Sequence, residues 1–190
     1  MRLSRLVVHF MWLVAGIFVS LSSNIAYGVE PISSGMKLPQ FTLDVPDSEE
    51  AKEYLGLKDL KSFSVSQIPA KLIFIEIFSL YCPHCHRKAP INNKIYRIIQ
   101  GDQDLNRNVK MIGIGVGNNP RETSVFKNKF RVAFPVSPDP KFEINKKLGE
   151  PRTPFTIITT NSGKVLLTHQ GDIKNVDEFV RQMKLLCKNP

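Results

Sequence analysis

Residues 71–90 read KLIFIEIFSLYCPHCHRKAP, and a change of pattern inside this stretch decides the fold. From Leu72 to Tyr81, aliphatic and aromatic residues crowd together with one charge among them, Glu76. A continuous apolar run of this kind is what a strand covered on both faces looks like. The period then changes. Pro83 suits the first turn of a helix, where no backbone N–H is needed, and Ala89, Ile91, Ile95, Ile98 and Ile99 recur at roughly helical spacing. The sequence predicts a buried strand running into a helix, with Cys82-Pro83-His84-Cys85 at the junction.

A helix N-terminus presents unpaired N–H groups and the positive end of the macrodipole, both of which stabilise a thiolate. Cys82 is therefore the expected nucleophile, and Cys85, one turn further in and more shielded, the resolving thiol. His84, when protonated, adds a second positive influence that favours thiolate over disulfide. The same tetrad, with His86, could instead ligate zinc. No second Cys or His pair follows at finger-like spacing, so the redox reading is preferred, with no metal and no cofactor.

Strand, CxxC and helix together resemble the thioredoxin superfamily, and the dipeptide Pro83-His84 resembles that of the DsbA oxidases. The resemblance implies a thioredoxin-like α/β fold with a central mixed sheet flanked by helices. Tyr81 stands where many relatives carry an aromatic before the first cysteine, which implies that it shields the disulfide and touches substrate.

The chain has 190 residues, enough for one domain and an N-terminal extension. Arg2 and Arg5 precede an apolar run from Leu6 to Leu21, and Ala26-Tyr27-Gly28 offers small residues at a signal-peptidase site. Residues 1–28 are expected to be a signal peptide or an N-terminal anchor, the run being just short of the roughly 20 residues that span a bilayer, and residues 29–190 the thioredoxin-like domain. Export to the periplasm follows, either soluble after cleavage or tethered by residues 6–21. The three cysteines cannot all pair within the chain, which suits a redox catalyst in an oxidising compartment better than a disulfide scaffold. The net charge is +9, or +7 once Arg2 and Arg5 are set aside (24 basic against 17 acidic residues). Arg87, Lys88, Lys94 and Arg97 follow the CxxC on one helix and read as a solvated face, the alternative being groups that lower the thiol pKa or attract acidic partners. No nucleic-acid motif is present.

Residues 29–35 read as a linker, Leu38–Leu43 as a short strand, Asp44–Glu53 as a turn and short helix, and Phe63–Ile68 as a second short strand or turn. Gly101–Asn108 is a polar break. Val109–Gly117 is a second buried strand, followed by a helix near Glu122–Phe130, an extended piece at Phe134–Val136 and a short helix over Lys141–Leu148. Strands at Phe155–Thr159 and Val165–His169 flank the hairpin turn Asn161–Lys164, and a helix closes the chain over Asn175–Leu186. Between Cys85 and Pro154 lie 68 residues (positions 86 to 153), which accommodates an inserted helix-strand unit. With the opening Leu38-Pro39-Gln40-Phe41-Thr42-Leu43, an N-terminal strand extension, this layout resembles TlpA- and ResA-like redoxins over about Leu38 to Leu186.

Three further positions bear on chemistry. A proline opening a strand after a tight loop, Thr153-Pro154, is either a cis peptide or an ordinary trans proline at a strand edge. In the thioredoxin superfamily such a pair faces the CxxC and its backbone binds substrate, which implies that role for Thr153 and Pro154. Glu76 would be costly to bury as an unpaired carboxylate, so its pKa should rise. It lies six positions before Cys82 and matches the buried acid of thioredoxin and DsbA, which implies proton transfer with the resolving thiol; the alternative is a strand-edge Glu paired with a lysine. Cys187 shares a helical face with Phe179, Val180 and Met183 and reads as a core residue, with a redox or dimerising thiol as the alternative.

These readings converge on an exported thiol-disulfide oxidoreductase exchanging disulfides with protein thiols, served by a further redox partner, either soluble or membrane-bound. The alternatives within related folds are a Sco-like copper metallochaperone, which uses CxxxC and a distant His, and a peroxiredoxin, which wants a PxxxTxxC pattern; this sequence has neither.

Overall fold

The structure, a computed structural model, describes residues 30–58 and 60–188. The leader expected over residues 1–28 lies outside the described residues. In chain order the elements are β1 (Leu43–Asp44), α1 (Glu49–Leu55), β2 (Ser62–Phe63), β3 (Leu72–Phe78), α2 (Pro83–Gly101), α3 (Gln103–Asn108), β4 (Val109–Val116), α4 (Pro120–Phe130), β5 (Val136–Asp139), α5 (Glu143–Lys147), β6 (Phe155–Thr160), β7 (Val165–Gln170) and α6 (Val176–Lys188). Five strands form one mixed sheet in the order β5-β4-β3-β6-β7, and β1 and β2 form a separate antiparallel pair.

β3 is the central strand, and all seven of its residues are buried. Strand side chains alternate between faces, so Ile73, Ile75 and Ile77 enter one core and Leu72, Phe74 and Phe78 the other. Glu76 belongs to the second face. β3, β4 and β5 run parallel, and the two crossovers step the same way across the sheet, so a common hand puts both on one face. Ala89, Ile95 and Ile99 of α2, Phe126 of α4 and Phe179 and Met183 of α6 accordingly share one core. Gly115 makes the α4 contact possible, since a Cβ there would meet Thr123 Cγ2 at 2.6 Å.

The opposite core is closed by the N-terminal segment, which departs from the expected linker. Ile32 is buried, its N–H donates to the Leu148 carbonyl at 2.8 Å, and the Gly35 N–H donates to the Val165 carbonyl at 2.9 Å. Gly149, at φ +78°, permits this docking, because a Cβ there would lie 2.2 Å from the Glu30 carbonyl oxygen. Leu38–Leu43 is likewise not a regular strand: Lys37 bridges to Lys164, and pairing resumes only at Leu43–Asp44 against Ser62–Phe63. Leu38, Phe41 and Leu43 instead plug the core from an irregular segment.

The polar break expected over Gly101–Asn108 contains α3. Asp102 caps it, accepting from the N–H groups of Asp104 at 3.1 Å and Leu105 at 3.0 Å, while Leu105 is buried. The extended piece expected at Phe134–Val136 pairs as a strand only from Val136 to Asp139. Among the described residues, no helix is long and apolar enough to cross a membrane.

Candidate active site

The site sits at the carboxyl end of β3, the usual place for ligands in an open α/β sheet. β6 runs antiparallel to β3 with Phe155 opposite Ile77 and Thr156 opposite Glu76. The loop that feeds β6 therefore arrives beside the Cys82 end of β3. The Thr153–Pro154 peptide bond is cis, and the Cys82 thiol donates to the Thr153 carbonyl at 3.5 Å. Gln170 Nε2 takes the flanking carbonyls of Arg152 (3.0 Å) and Pro154 (2.9 Å), so Thr153 alone of the three turns its carbonyl to the cysteine.

Cys82 is the N-cap of α2, and its sulfur accepts the Cys85 N–H at 3.3 Å. Burial alone would raise its pKa. Hydrogen bonds from the Cys85 and Thr153 side chains and from the N–H groups of Cys85 and His84 outweigh that and hold it below the ordinary cysteine value. Cys85 is buried, and the loss of hydration, reinforced by its bond to Cys82, pushes its thiol well above the ordinary range. Both are free thiols here. Two residues, Pro83 and His84, separate one half-exposed, more acidic sulfur from one sequestered, weakly acidic sulfur.

The turn that delivers Cys82 is pinned from two sides. The Leu80 N–H donates to Oδ1 of the fully buried Asn118 at 2.8 Å, and the Leu80 carbonyl lies 2.6 Å from His86 Nε2. The His86 ring stacks on Phe130, with centroids 4.7 Å apart. His86 thus faces the loop and the aromatic cluster and does not join the cysteines as a ligand. His84 is exposed, and its Nδ1 accepts from the Arg87 guanidinium at 2.6 Å. Among the described residues no three His, Cys, Asp or Glu side chains are grouped as a metal site would need. Tyr81, 68 % exposed, hydrogen-bonds through its hydroxyl to Glu122 at the start of α4.

Glu76 lies beneath the cysteines, but not at a strand edge. It is buried in the central strand and carries two partners on one oxygen: Thr156 Oγ1 donates to Oε2 at 2.8 Å, and Lys88 Nζ stands 3.2 Å from it. Lys88 also donates to Thr156 Oγ1 at 2.6 Å. Burial raises the Glu76 pKa, and the Lys88 charge and the hydrogen bonds of Thr156, Lys88 and Asn92 offset part of that rise. Lys88 corrects the expectation of a solvated face: Arg87, Lys94 and Arg97 are exposed, whereas Lys88 is 0 % exposed. Glu76, Cys85 and Asn92 line a cavity of about 10 Å³, and the Asn92 Oδ1 that is buried there has no partner.

The sequence reading missed Thr156 and Asn92 and put Lys88 on a solvated face, although a signal existed for two of the three. Cys85, Lys88 and Asn92 recur at spacings of three and four, the stripe that also carries Ala89, Ile95 and Ile99. Thr156 is visible only through the β3–β6 register. Cys187 is half-buried against the same core, away from the CxxC, and burial raises its pKa.

The chain is 24 % identical over 140 residues to the thiol-disulfide oxidoreductase ResA of Halalkalibacterium halodurans, covering 72 % of this chain and 76 % of the relative. It is 23 % identical over 176 residues to the ResA of Geobacillus thermodenitrificans, covering 93 % and 91 %. Its fold matches a thiol:disulfide interchange protein from a Bacteroides species at a TM-score of 0.60 and 12 % identity, covering 83 % of this chain and 92 % of that one. The redoxin family matches residues 33–183, from the N-terminal segment into α6, and it is to the redoxin family that this chain belongs.

Proposed function

We propose that the chain is a thiol-disulfide oxidoreductase acting on protein thiols and disulfides through Cys82 and Cys85. The Cys82 thiolate attacks a substrate disulfide, forming a mixed disulfide and releasing one substrate thiolate. Cys85 then gives its proton to the Glu76 carboxylate and attacks the Cys82 sulfur, expelling the second substrate thiolate and closing the Cys82–Cys85 disulfide. The substrate gains two electrons and the enzyme loses them; the same steps in reverse oxidise a dithiol. The cavity between Cys85 and Glu76 is the size of one water, enough to carry the proton. Thr153 presents its carbonyl, with Pro154 shaping the loop, to an extended substrate chain passing Cys82, and Tyr81 borders that path.

The observation that carries this reading is the contrast between the two thiols, one an N-cap with a depressed pKa and the other buried with a raised one. Among the described residues a metal-carrying reading lacks a third ligand, since His84 and His86 are both engaged elsewhere. Residues 1–28 act as an export signal or anchor, which puts the site in an oxidising compartment with a membrane-bound redox partner. Trapping tests the chemistry: Cys85→Ser, incubated with a cystine-containing peptide, should accumulate a stable disulfide at Cys82, and Cys82→Ser should not. Equal trapping by both variants, or by neither, would refute it.

A further inference from the structure

Lys88 has no part in the exchange steps, yet it is the most deeply buried cation among the described residues. Lysine is almost never fully buried unless paired. A buried ion pair is moreover poor support for a fold, because an apolar pair of similar volume often serves as well or better. Stability therefore does not explain why this side chain is threaded under the active-site helix. Its position does: it stands three residues after Cys85 and four before Asn92, and its Nζ lies 3.2 Å from Glu76 Oε2 and 2.6 Å from Thr156 Oγ1.

We infer that Lys88 is a positioning residue that, with Thr156, holds Glu76 as an oriented carboxylate and so sets the pH range over which Glu76 can take up the Cys85 proton. This rests on the oxidoreductase reading for its purpose, but not for its test. The Thr156 hydroxyl has one proton, and with Lys88 donating to its oxygen that proton is directed at Oε2. Lys88 thereby acts on the carboxylate twice, once through its own charge and once by fixing the hydroxyl. Without it, burial would hold the Glu76 proton and leave Cys85 no acceptor.

Few other groups compete. From β4 the neighbour opposite Glu76 is Gly113, which has no side chain. From β6 it is Thr156, and beyond that, on the same face of β7, His169, whose Nε2 lies 3.0 Å from the Asp172 carbonyl. From α2 come Cys85, Lys88 and the uncharged Asn92, and from α4 the apolar Phe126.

The test is the titration of Glu76 in the reduced full chain, followed through carbon-13-labelled glutamate carboxyls and assigned with Glu76→Gln. An opposite charge this close lowers a carboxyl pKa by about one to three units, so Lys88→Met should move the Glu76 midpoint upward by about one unit or more, without substrate present. Thr156→Val, which keeps the cation but removes the hydroxyl, should give a smaller upward shift, and it decides the matter if Lys88→Met does not fold. Midpoints unchanged from wild type in the folded variants would overturn the inference. Failure of the trapping experiment with these shifts intact would instead condemn the oxidoreductase reading.

Discussion

The rim and the floor of this site are built in opposite ways. At the rim, Cys82, His84 and Tyr81 are open to solvent or half-open, and the groups that tune Cys82 are the Cys85 and Thr153 side chains together with the first N–H groups of its own helix. At the floor, Cys85, Glu76, Lys88 and Thr156 come from three elements and are buried. The rim lowers a pKa by offering hydrogen bonds to an anion; the floor raises two by withdrawing water. Redox chemistry with a CxxC needs both: one sulfur that ionises readily, and one that keeps its proton until an acceptor is in place.

If the floor is a matched set, breaking it should cost most. Glu76→Gln leaves the buried Lys88 without its carboxylate, and removing one member of a buried ion pair costs about 3–5 kcal/mol; urea unfolding of the reduced protein would reveal the loss. An unchanged midpoint would mean that the pair is not formed in solution. Between rim and floor stands the loop clamp. Asn118→Ala removes the acceptor for the Leu80 N–H, and an orphaned buried donor costs about 1–3 kcal/mol, so stability should fall by that amount. Faster exchange of the Leu80 amide would distinguish this from a general loss of packing. At the rim, His84→Ala should act through the potential. The variant should be more reducing, by no more than about 30 mV, equivalent to about 1.4 kcal/mol for a two-electron couple. An unchanged potential would show that the His84 side chain, already engaged by Arg87, leaves the poise to the backbone.

The same contrast explains what was legible in the sequence. The rim is written in consecutive residues, so Cys82, Pro83 and Cys85 announce a strand-to-helix junction, and the buried run before them announces β3. Thr153-Pro154 could be placed opposite the cysteines only by resemblance, because what brings it there is the antiparallel β3–β6 register. Lys88 illustrates the limit. A lysine amid Arg87, Lys94 and Arg97 reads as surface, and only the stripe it shares with Cys85 and Asn92 hints otherwise. Glu76 reads either as a buried acid or as a strand-edge Glu paired with a lysine; it is buried in the central strand and paired with Lys88, so the pairing holds but the edge does not. The N-terminal segment misled for a similar reason: Ile32 has little local pattern around it, and its burial depends on Gly149, more than a hundred positions away.

The central claim is that Cys82 and Cys85 differ in acidity in the direction that exchange requires. The sign of the pH effect is fixed by the depressed Cys82 pKa. The folded reduced protein carries a thiolate there that the unfolded chain lacks, so this stabilisation is fully present above the unfolded cysteine pKa of about 8.5 and is lost as pH falls through the folded value. The most direct measurement is the rate of alkylation of each thiol in the reduced protein as a function of pH, read site by site by mass spectrometry. The account predicts a Cys82 midpoint below about 8.5, with labelling already under way at mildly acid pH while Cys85 stays unlabelled throughout. Equal labelling of the two, or Cys85 reacting first, would contradict it.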